Sequence, residues 1–105
     1  MDVPEIDVDE LARLHESGVV LVDVRRADEY EEFHVPGAQL IPLDEIVERV
    51  EEIPNDRRVY LICAVGSRSA RAAEFLNGQG YDTVNVVGGS NAWLDAGFPV
   101  EHGSA

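Results

Sequence analysis

The chain has 105 residues, a length that suits one compact domain, and its 45% apolar content is enough for a single core. Twenty-one acidic residues face eight basic ones, all of them arginine, for a formal charge of −13. That balance argues against nucleic acid, whose phosphates call for clustered Lys and Arg, and no apolar run approaches the ~20 residues of a membrane span.

Met1-Asp2-Val3-Pro4-Glu5 is acidic and has no apolar h-region, so the expected location is the cytoplasm. A helix is predicted from Asp7, which can act as N-cap with Glu10 three residues later in a capping-box pattern. Val8, Leu11, Ala12 and Leu14 share a face, and Gly18 ends the segment. Val19-Val20-Leu21-Val22 reads as a strand buried on both faces, and it runs into Asp23-Val24-Arg25. A short acidic helix is expected over Ala27–Phe33, then a Pro36-Gly37 turn and a brief strand from Ala38 to Ile41.

The spacing of Ile46, Val47, Val50 and Ile53 predicts another helix, from Leu43 or Asp44 to Ile53, broken by Pro54-Asn55. Val59–Ile62 is a second buried strand. A helix from Ser69 to about Gly78 follows the loop after it, then a strand over Thr83–Val87 and a last helix holding Ala92, Trp93 and Leu94. Residues 102–105 are expected to fray. Alternating strands and helices predict an α/β fold with a mostly parallel sheet and one domain over 1–105, its core at about 5–101.

Cys63 is the only cysteine, so no internal disulfide exists, and one Cys with three scattered His residues offers no zinc-ligand spacing. Its setting points to reactivity. It stands at the carboxyl end of a buried strand, where open parallel sheets bind ligands, and just before a helix whose unpaired amides attract anions. Ala64, Val65, Gly66, Ser67, Arg68 and Ser69 complete the expected binding loop. Gly66 lets the backbone turn its amides inward, Ser67 and Ser69 add hydroxyls, and Arg68 brings a planar cationic fork. A cysteine so placed has its thiolate stabilised and can act as a nucleophile.

Cys63-x-x-Gly66-x-Arg68-Ser69 resembles the active loop of the rhodanese family of single-domain sulfurtransferases. Leu21-Val22-Asp23-Val24-Arg25, Glu29-Tyr30 and His34-Val35-Pro36-Gly37-Ala38 resemble its Asp-x-Arg, Glu-Tyr/Phe and Gly-His-Ile-Pro-Gly-Ala elements. Gly88-Gly89, Ala92-Trp93 and Gly97-Phe98-Pro99-Val100 resemble its C-terminal signature, so the likeness extends over about residues 5–101. One departure is Phe33, which stands where the family has Gly before the His.

The resemblance implies a three-layer α/β/α architecture with about five strands and a Cys63 persulfide that carries sulfur. It takes that sulfur from a small anionic donor such as thiosulfate and passes it to cyanide, a thiol or a sulfur-carrier protein, without metal or organic cofactor. Related phosphatases and arsenate reductases have five residues between Cys and Arg. This chain has four between Cys63 and Arg68, which favours sulfur over a phosphoryl group. A sulfur-relay or binding module is the third reading.

Asp23 and Arg25 can reach the rim of such a site or form a structural ion pair, with Glu29 as a further partner. Arg71 can add positive field at the mouth or be a solvated helix position. His34 is expected to be structural, His15 and His102 incidental, Trp93 a core anchor and Gly88-Gly89 a tight turn. The acid excess fits a solvated surface or adaptation to a salty medium.

Overall fold

The computed structural model describes residues 3–103. Five strands, β1 (Glu5–Ile6), β2 (Val20–Asp23), β3 (Gln39–Leu40), β4 (Val59–Ile62) and β5 (Thr83–Val86), form one sheet in the order β1-β5-β4-β2-β3. All four pairings are parallel, so the sheet exceeds the expected "mostly parallel". The helices are α1 (Val8–His15), α2 (Ala27–Glu32), α3 (Ser67–Gly78) and α4 (Gly89–Asp95).

Two apolar layers sandwich the sheet because side chains alternate along each strand. Leu21, Tyr60, Ile62, Val84 and Val86 pack with Val8, Leu11, Tyr30 and Trp93 on one face. Val22, Val59 and Leu61 pack with Ala72, Ala73 and Leu76 of α3, and with Ile46 and Ile53, on the other. Trp93 anchors α4 as expected, buried and donating its indole N–H to the Pro99 carbonyl at 2.8 Å.

Asp7 caps α1, its carboxylate accepting the Glu10 amide N–H at 2.9 Å. The predicted helix from Leu43 or Asp44 to Ile53 does not form. Two 3-10 turns, Leu43–Glu45 and Val50–Glu52, stand there instead. Ile46 and Ile53 are buried, but Val47 is 66% exposed, so the apolar spacing does not make one buried helical face. β-Branched residues and the run of Asp44, Glu45, Glu48, Glu51 and Glu52 both weigh against a continuous helix. Arg49 sits at φ −109°, ψ 18°, where the helix would have continued, and its guanidinium spans Glu45 and Glu52 instead.

β1 was not anticipated: two residues after a proline carry no periodicity. It is held because the Asn85 amide donates to the Pro4 carbonyl and the Val87 amide to Ile6, at 2.9 and 2.8 Å. Part of the expected frayed tail is also tied down. The Gly103 amide donates to the Glu31 carbonyl and His102 Nδ1 to that of Glu32, both at the end of α2, at 2.7 Å each. Residues 104 and 105 lie outside the described residues. Among the described residues no helix is long and apolar enough to cross a membrane.

Candidate functional site

The carboxyl ends of β2, β4 and β5 converge on the segment from Cys63 to Gly66. Gly66 adopts φ 104°, a left-handed conformation that favours glycine, and it serves as the N-cap of α3. The helix therefore starts at Ser67, two residues before the expected Ser69, and the reversal turns amides onto the sulfur. The Gly66 N–H donates to Cys63 Sγ at 3.1 Å, the Ser69 N–H at 3.3 Å, and the Ser69 hydroxyl lies 3.2 Å away.

Burial acts to raise the Cys63 pKa, and the Ser69 hydroxyl with the Ser69, Gly66 and Val65 N–H groups outweighs it. The thiol is left more acidic than an ordinary cysteine. The residue itself has no exposed surface.

The back of the loop is formed by the segment that follows β5. The Ser90 amide donates to the Cys63 carbonyl at 2.8 Å and the Asn91 amide to that of Ala64 at 3.1 Å. These bonds aim the Cys63 and Ala64 carbonyls at the start of α4, while the Val65, Gly66 and Ser69 N–H groups serve the sulfur. Gly89 stands at φ 59°, and a Cβ there would drive into the Cys63 and Ala64 carbonyls. The Gly88-Gly89 pair, expected to be a tight turn, thus also allows this backbone approach. No local pattern of the sequence reveals that Gly89 faces Cys63.

Arg68 is positioned differently from the expectation. Its two terminal nitrogens donate to the two carboxylate oxygens of Glu29 at 2.7 and 2.9 Å, and no hydrogen bond among the described residues joins it to Cys63. Glu29 also accepts the Arg26 N–H at the start of α2, at 2.9 Å. The Arg68 fork, with those contacts, lowers the Glu29 pKa to about 2 even though burial opposes the shift. Arg68 is held as a cation chiefly by Glu29, with further support from the charges of Cys63 and Asp23.

Glu29 therefore partners Arg68, not the Asp23–Arg25 pair as anticipated. Asp23 and Arg25 form a closed ion pair, with Arg25 Nη2 on Asp23 Oδ2 at 2.9 Å and Nε reaching both oxygens. Both are buried, and Arg25 also donates to the Phe33 carbonyl at 2.7 Å. The pair is thus a structural ion pair, its charged groups turned on each other. The Phe33 departure is accommodated as well. Its φ of −166° is extended backbone open to any residue, and its ring lies 5.2 Å from the Arg25 guanidinium carbon.

Ser67 is exposed and its hydroxyl makes no hydrogen bond among the described residues, so Ser69 alone supplies a hydroxyl to the sulfur. Val65 is 61% exposed at the loop tip. Beside the loop lies a depression of about 470 Å³ lined by Arg26, Pro42, Leu43, Asp44, Arg68 and Arg71, with Val24 and Arg25 at its base. Arg71 is exposed and has no carboxylate partner among the described residues, whereas the other seven arginines are all ion-paired.

His34 is buried, stacked on Tyr30 at 3.7 Å and bonded through Nδ1 to the Tyr30 carbonyl at 2.8 Å, the structural role expected of it. His15 is more engaged than expected, donating from Nε2 to the Pro36 carbonyl at 2.6 Å. No group of three or more His, Cys, Asp or Glu side chains suited to a metal ion occurs among the described residues.

Comparison with known proteins gives this geometry a family. The model of the rhodanese-like domain matches residues 7–96. A protein of Allochromatium vinosum named sulfurtransferase is 41% identical over 101 residues, which cover 93% of this chain and 94% of that one. A Bacillus subtilis protein named as a sulfur carrier is 37% identical over 94 residues, and the match spans 87% of this chain but about half, 51%, of that one. The crystal structure of a rhodanese-like domain protein from Staphylococcus aureus is 38% identical with a TM-score of 0.88, covering 97% of this chain and all of that one, 100%. With a family match over most of its length and near-complete overlap with such relatives, the chain belongs to the rhodanese-like domain family.

Proposed function

We propose that the protein is a sulfurtransferase in which Cys63 is the nucleophile and carries sulfur as a persulfide. The observation that carries this reading is the Cys63 sulfur enclosed by the Gly66 and Ser69 amides and the Ser69 hydroxyl at the start of α3. Such a ring stabilises a thiolate, and an amide cradle of this kind can hold added negative charge. Relatives named for sulfur transfer and sulfur carriage support the same chemistry.

In the proposed reaction the Cys63 thiolate attacks the outer sulfur of a donor such as thiosulfate. The donor's S–S bond breaks, sulfite departs with the bonding pair, and the outer sulfur remains on Cys63 as an anionic persulfide. An acceptor nucleophile, either cyanide in an assay or a thiol or carrier protein, then attacks that terminal sulfur and the thiolate returns. Atoms and electrons balance without an added oxidant or reductant, and the proposal calls for no metal or organic cofactor.

Loop residues Ala64, Val65, Gly66, Ser67 and Ser69 form the proposed cradle, with Arg68 held beside it by Glu29. Arg71, the arginine lacking a carboxylate partner among the described residues, is the proposed attractor of an anionic donor at the mouth. Asp23 and Arg25 brace the end of β2 in this reading and do not touch the donor.

Intact mass spectrometry after thiosulfate treatment tests the proposal. The expected result is a gain of one sulfur that cyanide removes and that is absent from Cys63→Ala and Cys63→Ser. Hydrolysis of a generic phosphoester without any sulfur gain would overturn it in favour of the phosphatase reading.

A further inference from the structure

Ser69 Oγ lies between two acceptors but has only one hydrogen to give. Cys63 Sγ is 3.2 Å from it and Asn85 Oδ1 is 2.5 Å from it. The orientation of Asn85 is fixed by its other contacts. Asn85 Nδ2 faces the Glu5 carboxylate and the Gly66 carbonyl, both at 3.2 Å. Neither group has a hydrogen to donate, so the amide nitrogen must face them and Oδ1 must face Ser69. The side chain is 2% exposed, leaving little access for water as a substitute donor.

The hydrogen therefore has two positions. When Cys63 is a thiol, its S–H can donate to a Ser69 lone pair while the hydroxyl donates to Asn85. When the thiol proton has left to solvent, the hydroxyl turns to the thiolate, and Asn85 Oδ1 loses its donor, which is costly for a buried acceptor. When sulfur has been added to Cys63, the charge sits on the outer atom. The inner sulfur is then a weak acceptor, and the hydrogen can return to Asn85.

We propose that Asn85 is a positioning residue that competes with Cys63 for the single Ser69 hydrogen, and so favours the sulfur-loaded site over the bare thiolate. The second half of this statement rests on the persulfide reading above; the competition itself does not. The charged groups around the site are Arg68 and, at its mouth, Arg71 on α3, Glu29 on α2 with Arg26 before it, the Asp23–Arg25 pair at the end of β2, and Glu5 on β1 reached through Asn85. None of them is altered by the substitutions that follow.

The test is the pH profile of Cys63 alkylation by iodoacetamide, which is unambiguous because the chain has one cysteine. Asn85→Ala frees the hydroxyl for the thiolate, so its alkylation rate below the wild-type midpoint should rise about three- to tenfold. In a Ser69→Ala background the same substitution should raise the rate much less, since only the loss of the Asn85 bond to Gly66 can then act on the sulfur. An equal rise in both backgrounds, or none in either, overturns the competition. Asn85→Leu, which keeps the branched shape of the side chain without its polar atoms, replaces the Ala variant should that one fail to fold.

In the unaltered protein the Asn85 side-chain carbonyl ¹³C resonance should titrate with the alkylation midpoint, and an invariant resonance would overturn the proposal without any variant. A second arm equilibrates the protein with fixed thiosulfate and sulfite. Asn85→Ala should lower the ratio of loaded to bare protein several-fold, and an unchanged ratio would refute the preference for the loaded site. Failure of the wild-type protein to take up sulfur would refute the proposed function while leaving the alkylation result standing.

Discussion

Cys63 is wholly buried, yet its thiol lies on the acidic side of the ordinary cysteine range. Burial alone would push it the other way, so the donors around the sulfur decide the balance. Ser69 is the most consequential of them, because it supplies both an amide and a hydroxyl from one residue. Arg71 acts at longer range in the proposed reaction. Arg68 is neutralised by Glu29 and Arg26 pairs with Asp28, which leaves Arg71 as the positive charge facing the mouth without a carboxylate partner among the described residues. Arg71→Ala should raise the KM for thiosulfate about two- to fivefold at low ionic strength, with a smaller effect on kcat. The difference should shrink as KCl is added, because exposed charges are screened over about 10 Å at 0.1 M salt. Steady-state kinetics at two salt concentrations would check it; a salt-independent KM difference would contradict long-range attraction.

Between elements, the Glu29–Arg68 pair joins α2 to α3 across 39 positions of sequence. The Glu29 pKa is held at about 2 against an ordinary 4.5, with Arg68 as the main cause. A folded-state pKa below the unfolded one means that the stabilisation is complete above about 4.5 and is lost as the pH falls towards 2. Since the pair is partly exposed, the amount is set at about 1 kcal/mol. Chemical denaturation from pH 5 down to 2 should therefore show wild type losing about 1 kcal/mol more than Glu29→Gln. Equal losses would mean that the pair adds nothing to the join. The Asp23–Arg25 pair is a different case: it is buried, so removing either partner would leave an uncompensated charge at a cost of about 3–5 kcal/mol.

At the scale of the whole molecule, the dominant feature is a charge of −13. Seven arginines are tied into ion pairs, among them Arg13, Arg57 and Arg58 on the surface, yet the carboxylates far outnumber them. Two consequences belong to one experiment. Adding KCl should raise the unfolding midpoint by screening repulsion among carboxylates, and it should also raise the second-order rate with thiosulfate by weakening repulsion of the dianion. A salt-independent midpoint would remove the case for adaptation to a salty medium. A rate that falls with salt would show that the local field at the mouth outweighs the net charge.

Much of this molecule was legible in the amino-acid order because the relevant signals are local. The apolar runs before Asp23 and Cys63 mark buried strands, and Asp7 with Glu10 marks a helix start. Cys63 through Ser69 places a thiol and a glycine turn at a strand–helix junction. The same local reasoning failed for residues 43–53, where spacing resembled a helical face but charge repulsion and β-branching favoured two 3-10 turns. Only the tertiary structure decided which groups meet around the sulfur. Glu29 reaches Arg68, Asn85 reaches Ser69, and Glu5 reaches Asn85 across 80 positions. Gly89 closes behind the loop. These meetings follow from the strand order β1-β5-β4-β2-β3 and its parallel register, which bring distant segments together around the carboxyl ends of the central strands. Periodicity reports which side of an element is apolar, but it carries no record of which strand lies next to which.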